Sequence, residues 1–250
     1  MYYYQLIFIN SHPTKPLVPN RMRQSDLRLV RDLPLFRDMA SEHFDALVAA
    51  AFLQKFPQHV ALIREGELPD FLHVMVEGSV ELFAESGGRE TTIEIIRPVT
   101  TFILAAVIRD EVYLKSARTL TPAQILMIPA EAVRDVFSRD SAFARAIVTE
   151  LALRYRDVVR ALKDHKLRTS SERLANWILE NEREQGGCGR VVLPHDKRTL
   201  ASRLGMTPEN LSRSLANLAA YGVGGSGREI LISDRDALRR WAKPDPLIDG

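Results

Sequence analysis

The stretch "SAFARAIVTELALRYRDVVRALKDHKL" (141–167) limits this chain more than any other feature. Ala144, Val148, Leu151, Tyr155, Val158, Leu162 and His165 follow one another at alternating steps of four and three. Such spacing puts them on one stripe of a long helix with charged neighbours outside it, a heptad seam of about three repeats. The stripe can pack on its own domain or pair with a second copy of itself. Its length and its place between two segments of different character point to the pairing, with Val148, Leu151, Tyr155, Val158 and Leu162 as the dimer seam.

The segment before the helix is strand-like. "HVALIREGELPDFLHVMVEGSVELFAESGGRETTIEIIRPVTTFI" holds short runs rich in Val, Ile and Phe broken by glycine turns. Leu72, Val74 and Val76 alternate with other residues, Val80 and Leu82 resume after Gly78, and "SARTLTPAQILMIP" adds two more strands. Frequent turns between short strands predict an antiparallel sandwich or roll rather than βαβ units. The strand pattern is read as starting after Pro57. Ahead of it, "SDLRLVRDLPLF" and "SEHFDALVAAAF" read as helical, with an N-cap at Ser41 and Phe44, Leu47 and Val48 at helix spacing. The first 24 residues, with Pro13, Pro16 and Pro19, read as an extended lead-in. "MYYYQLIFIN" is too short to span a bilayer and lacks the basic region of a signal peptide; a strand, a packing arm and a disordered end all fit it.

After the long helix come "SSERLANWILENERE", a glycine break, the strand "RVVLP" and two short helices, "DKRTLASRLG" and "TPENLSRSLANLAAYG". Asp196 can cap the first. Thr207 is an N-cap for the second, with Pro208 at the first helical position, where a missing N–H is harmless. Leu211, Leu215 and Leu218 form the buried stripe, Ala201 admits a close helix approach, and Gly205 permits the tight turn. This is helix-turn-helix spacing, in which the second helix enters the DNA major groove by its N-terminal half. Glu209, Ser212 and Arg213 share the outward face of its first two turns. Arg213 can fork onto guanine, Glu209 can accept from a cytosine amino group, and Ser212 can serve base or phosphate. Thr207, Asn210, Lys197 and Arg198 complete the candidate DNA-binding set.

The order of roll, heptad helix and winged helix-turn-helix resembles the CRP/FNR family of bacterial transcription regulators. "LPLF" (33–36), "EGE" (65–67), "VEGSVELF" (76–83), the E-N-L-S-R of the second helix and "GREILISD" (227–234) carry the likeness, which covers residues 26 to 241. It implies an α+β fold: an N-terminal antiparallel β-roll sensor domain of the cyclic-nucleotide-binding type, a long dimerisation helix, and a C-terminal winged helix-turn-helix. The expected boundaries are 1–24 for an extension, 25–138 for the roll, 139–166 for the helix and 167–250 for the DNA-binding domain. Glu-x-x-Ser-Arg is typical of the FNR-like branches, denitrification regulators included, so the resemblance implies a TTGAT-like half-site in a two-fold palindrome. It also implies RNA polymerase as a partner. Ser214 departs from the pattern at a position usually apolar, and "GVGGSGRE" is glycine-rich where the wing should begin.

The family's cyclic-nucleotide members carry a Gly–Glu–Leu turn and a later Arg-Ser-Ala. Here Phe102 and Ile103 match, Leu104 stands for the glycine, Ala105 for the glutamate and Lys115 for the arginine, while Ser116 and Ala117 are retained. Leu104, Ala105, Lys115 and Ser116 are therefore the ligand-pocket candidates. Lysine is a point charge without the arginine fork, and the ribose acceptor is gone, so cAMP does not fit. An iron–sulfur cluster is excluded by the single cysteine, Cys188. The cofactor is undefined; haem stays open, with His73 and His165 as weak metal-ligand candidates.

A net charge of +2 argues against a protein that coats nucleic acid by bulk charge, so any DNA contact must be local. One cysteine and no spanning segment suit a reducing cytoplasm without a membrane partner. No P-loop or nucleophile–base pairing suggests an enzyme. The expected function is a homodimeric, sequence-specific transcription regulator. The alternative is a ligand-binding interaction module whose helix-turn-helix is a protein-docking scaffold.

Overall fold

The structure, a computed structural model, describes residues 24–249; the extended lead-in and "MYYYQLIFIN" lie outside them. Two short helices, α1 (Gln24–Arg31) and α2 (Ser41–Ala50), precede the strands β1 (Phe52–Phe56), β2 (Ala61–Ile63), β3 (Phe71–Glu77), β4 (Val80–Ser86), β5 (Arg89–Ile96) and β6 (Thr100–Phe102). Helix α3 (Leu104–Arg109), strands β7 (Ser116–Thr119) and β8 (Ala123–Pro129), and helix α4 (Ala130–Arg139) complete the roll. Two four-stranded antiparallel sheets face each other, ordered β1-β8-β3-β6 and β2-β7-β4-β5.

The sequence reading needs two corrections here. Strands begin before Pro57, because β1 pairs along its length with β8, from Phe52 opposite Met127 to Phe56 opposite Ala123. Cross-strand pairing outweighs the helix propensity of the alanine run, and Ala51 is already extended. Ser41 is the first helical residue rather than a cap. The capping position is Ala40, whose N–H is taken by Asp140 Oδ2 (2.8 Å).

Turn chemistry sets the register of the sheets. Gly87 and Gly88, at φ +58° and +72°, make the two-residue turn between β4 and β5 that left-handed central residues allow. At Gly78 a Cβ would lie 2.3 Å from the Pro122 carbonyl oxygen, so only glycine fits the β3–β4 turn.

Strand β3 is buried on both faces. Leu72, Val74 and Val76 face a core shared with α1, α2, α4 and the first turns of the long helix, while Met75 faces the core between the sheets. His73 shares that second face, 3% exposed and stacked on Phe102 with ring centroids 5.1 Å apart. Burial lowers its pKa to about 4.

The long helix α5 (Ser141–Leu167) is separate from α4 because Asp140 is extended and caps it, accepting from the N–H groups of Ala142 and Phe143 (both 2.9 Å). The other oxygen of Asp140 takes the Ala40 N–H and lies 3.0 Å from His43 Nδ1, tying three elements to one carboxylate. Phe143 and Ile147 root the first two turns of α5 in the core. Beyond them the apolar stripe emerges: Tyr155 is 70% and Val158 64% exposed.

The second domain has its own core. Helix α6 (Ser170–Glu184) starts with a capping box of Thr169 and Glu172, followed by β9 (Arg190–Val192), α7 (Lys197–Arg203) and α8 (Pro208–Leu218). A single 3₁₀ turn (Ala219–Tyr221) leads to β10 (Val223–Gly224), β11 (Glu229–Ile232), α9 (Arg235–Ala242) and α10 (Pro246–Asp249). The three strands pair in the order β10-β11-β9 and form the wing, whose first strand is two residues long at the glycine-rich segment.

Asp140→Ala is expected to lower stability by about 1–3 kcal/mol, through a lost cap and an unpartnered Ala40 N–H, in chemical denaturation near neutral pH. Burial raises the Asp140 pKa, but hydrogen bonds from Phe143, His43, Ala40 and Ala142 outweigh it, so the folded value is about 2 against 3.8 ordinarily. Its stabilisation is complete above pH 3.8 and should fade as pH falls toward 2. His73 acts higher on the scale. Between pH 6.5 and 4 the unfolded chain binds a proton there that the folded chain refuses. Stability should therefore fall across that window, and His73→Leu should flatten the fall in melting curves taken against pH.

Candidate nucleic-acid interface and the sensor site behind it

Helices α7 and α8 meet at a turn built as the sequence predicts. Asp196 Oδ1 accepts the Thr199 N–H (2.7 Å), and Thr207 Oγ1 accepts the Asn210 N–H (3.2 Å) with Pro208 at the first helical position. Gly205 takes φ +63°, and a Cβ there would lie 2.3 Å from the His165 ring. Ala201, Leu211 and Leu218 are buried and Leu215 is half-buried. Ser214 is buried too, but its hydroxyl lies 2.9 Å from that of Ser171, so the departure from an apolar residue is a satisfied polar pair joining α8 to α6.

The outward side of α8 carries the candidate readers. Glu209, Ser212 and Arg213 are exposed; Arg213 is held by Asn210 Oδ1, and the Ser212 hydroxyl donates to the Pro208 carbonyl (3.0 Å). Glu209 has its pKa lowered by the Thr207 hydroxyl and its own backbone N–H, so it stays an acceptor. Lys197 and Arg198, at the start of α7, are exposed on the same domain. The groups that a helix-turn-helix directs at base edges and phosphates are thus free of buried partners.

The other end of α7 faces the roll. Thr92 on β5 donates its N–H to Ser202 Oγ (2.8 Å), and the two hydroxyl oxygens lie 2.9 Å apart. Behind Thr92, Glu81 (3% exposed) accepts from the Thr92 hydroxyl (2.5 Å) and from Arg118 Nε (2.8 Å). Arg118 in turn grips Glu90 and lies over the Phe83 ring. A line of polar contacts therefore runs from β7 through β4 and β5 to the DNA-binding domain. Ile95, Trp177, Leu193 and His195 pack beside it. Sequence reading missed this seam, since no local pattern pairs Thr92 with Ser202.

The ligand-pocket candidates lie at the start of α3, at the start of β7 and in the segment just before β7. Leu104 is in the roll core at the start of α3, preceded by Ile103 at φ +67°, whereas Ala105 is exposed. Ser116 Oγ accepts the Glu65 N–H (3.0 Å). Lys115 Nζ lies 3.7 Å from Glu94 on β5, and the same carboxylate accepts from Arg154 of α5 (2.8 Å), which also pairs with Glu150. Lys115 is thus engaged in an ion-pair bridge from roll to long helix. Of the two histidine candidates, His73 is buried with its ring stacked on Phe102, and His165 is exposed with its ring beside Gly205. Among the described residues no cluster of His, Cys, Asp or Glu could hold a metal ion, and no helix is long and apolar enough to cross a membrane.

Residues 53–140 match the cyclic nucleotide-binding domain, and residues 172–241 match the Crp-like helix-turn-helix domain. The cyclic AMP receptor protein of Thermus thermophilus is 26% identical over 191 residues, covering 76% of this chain and 87% of that protein. A regulatory protein from Silicibacter pomeroyi DSS-3 is 28% identical with a TM-score of 0.57, covering 89% of this chain and all of that one. FixK2 from Bradyrhizobium japonicum shares the fold at 23% identity and a TM-score of 0.65, over 76% of this chain and 96% of its own. With both domains matched in that order on either side of the long helix, this chain belongs to the CRP/FNR family of DNA-binding transcription regulators.

Proposed function

We propose that the protein is a homodimeric regulator whose two α8 helices read the half-sites of a TTGAT-like palindrome. The observation that carries this is the α5 stripe. Val148, Tyr155, Val158 and Leu162 are exposed on a helix whose buried residues, Phe143 and Ile147, lie in its first two turns, so water meets a row of apolar side chains that a second α5 would cover. Two-fold pairing there places two recognition helices for adjacent major grooves, about one helical turn of DNA apart. Arg213 and Glu209 supply base readout and Ser212 base or phosphate contact, while Lys197, Arg198, Thr207 and Asn210 position the domain on the backbone.

On the sensor side, we infer that the roll does not take cAMP in the manner of the family's cyclic-nucleotide members. Three features support this reading: Leu104 stands at the glycine position, Ala105 offers no ribose acceptor, and Glu94, itself paired with Arg154, engages Lys115 within the chain. The ion-pair bridge instead ties the roll to α5, so a signal that broke it would act on the dimer helix directly.

Arg213→Ala should weaken binding to the palindrome by about 1–3 kcal/mol and relax discrimination at one base pair per half-site in fluorescence titrations. Unchanged discrimination would remove that role. Val158→Asp should convert dimer to monomer in sedimentation analysis and abolish palindrome binding without unfolding either domain. Calorimetric titration with cAMP should give no saturable heat; a one-per-subunit isotherm would overturn the sensor reading.

A further inference from the structure

The two domains are joined by very little chain. Helix α5 ends at Leu167, α6 begins at Ser170, and only Arg168 and Thr169 lie between. Both are extended, so the joint has no regular structure of its own to hold an angle. Arg168 should be solvated at such a joint, yet its side chain is 7% exposed.

Its partners come from outside the joint. Nη1 donates to Asp249 Oδ1 (2.6 Å) and Nη2 to Asp249 Oδ2 (2.7 Å), a two-pronged pairing of guanidinium with carboxylate. Nη1 also donates to Asp164 Oδ1 of α5 (3.0 Å). Asp249 is itself positioned, because the Asp245 N–H donates to its Oδ2 (2.7 Å) and its own N–H donates to the Asp245 carbonyl (2.8 Å). Burial works against the charged form, but the Arg168 and Asp245 bonds prevail and keep this carboxyl below its ordinary pKa.

The segment after α9 reaches the joint by a reversal at Lys243, at φ +48°, and lies along α5, where Lys163 Nζ donates to the Leu247 carbonyl (3.2 Å). On the far side, Arg173 of α6 donates to the Arg168 carbonyl (2.8 Å) and to that of Leu204 in the helix-turn-helix (3.0 Å). The match to the Crp-like helix-turn-helix domain covers residues 172–241, so segment 243–249 lies outside the matched span.

We propose that segment 243–249 is a clamp on the α5–α6 joint, and that Asp249 is a positioning residue for DNA recognition: by gripping Arg168 it fixes the angle between dimer helix and helix-turn-helix. In a dimer that angle sets the distance between the two recognition helices, and so the half-site spacing that the protein accepts. This last step rests on the homodimeric, palindrome-reading function proposed above; the clamp itself does not.

The test uses the full chain as Asp249→Asn, Asp249→Glu and Arg168→Lys. Hydrogen exchange is read over residues 163–173, and titrations use palindromes whose half-site spacing is varied one base pair at a time. Asp249→Asn should exchange about tenfold faster at the joint, because a locally opened segment exchanges by its own equilibrium. It should also flatten the spacing preference while leaving both domain cores protected. Asp249→Glu, which keeps two acceptor oxygens, should restore much of both. Arg168→Lys keeps the charge but loses the fork; it should loosen the joint and flatten the spacing preference as Asp249→Asn does, and it carries the test should Asp249→Asn fold poorly. Unchanged exchange in Asp249→Asn and Arg168→Lys would overturn the clamp. A loosened joint with an unchanged spacing preference would overturn the positioning role. If the unaltered protein binds no palindrome while Asp249→Asn still loosens the joint, the clamp stands and the palindrome reading falls.

Discussion

Much of this molecule depends on a helix that has to satisfy two environments along its length. The first two turns of α5 are core: Phe143 and Ile147 are buried among residues of β3, α2 and α4, and Asp140 secures their start. Its later turns carry Val148, Tyr155, Val158 and Leu162 into solvent. A helix in isolation gains little from propensity, so its order must come from packing at its ends and along its stripe. The roll supplies that at one end. At the other, Asp249, Arg168 and Arg173 hold the turn into α6.

The roll and the DNA-binding domain are also joined sideways, through polar contacts beside an apolar group that includes Ile95, Trp177 and Leu193. Thr92 meets Ser202, Arg97 lies 3.7 Å from Glu184, and the buried Glu81 anchors Thr92 from behind. Exposed ion pairs such as Arg97–Glu184 add little stability. A buried carboxylate satisfied by an arginine and a hydroxyl is different, since removing the arginine leaves a buried charge without compensation and removing the hydroxyl leaves one oxygen without its donor. Such a seam is directional and can be exchanged for water, which suits a contact between domains that must take a defined arrangement without fusing into one core. The same holds for the bridge from Lys115 through Glu94 to Arg154, which sets charge, not apolar area, between roll and helix.

The fold was legible where local rules govern it. The heptad steps of α5, the Thr207-Pro208 start of α8, the Asp196 cap and the left-handed Gly205 each follow from the preferences of one or a few neighbouring residues. Reading failed where a distant partner outweighed such a preference. The alanines before Phe52 favour helix, yet β8 captured β1. Ser41 has the right side chain for a cap, yet the Ala40 N–H found Asp140, a hundred residues away. Strand β3 is buried on both faces because helices cover one side and the second sheet the other, which the alternation of Leu72, Val74 and Val76 does not encode.

The candidate site divides along the same line. Sequence alone determined that Glu209, Ser212 and Arg213 share the outward face of one helix, since that follows from 3.6 residues per turn and a stripe of leucines opposite. It also placed Leu104, Ala105 and Lys115 where the family resemblance leads one to expect glycine, glutamate and arginine. Only the tertiary structure decided what those groups meet. Arg154 reaches Glu94 across 60 positions, Arg168 reaches Asp249 across 81, and Thr92 reaches Ser202 across 110. A charged or hydroxyl side chain has many potential partners of equal chemistry along a chain. Which of them is brought within hydrogen-bond distance depends on how whole elements pack, and no local spacing encodes that.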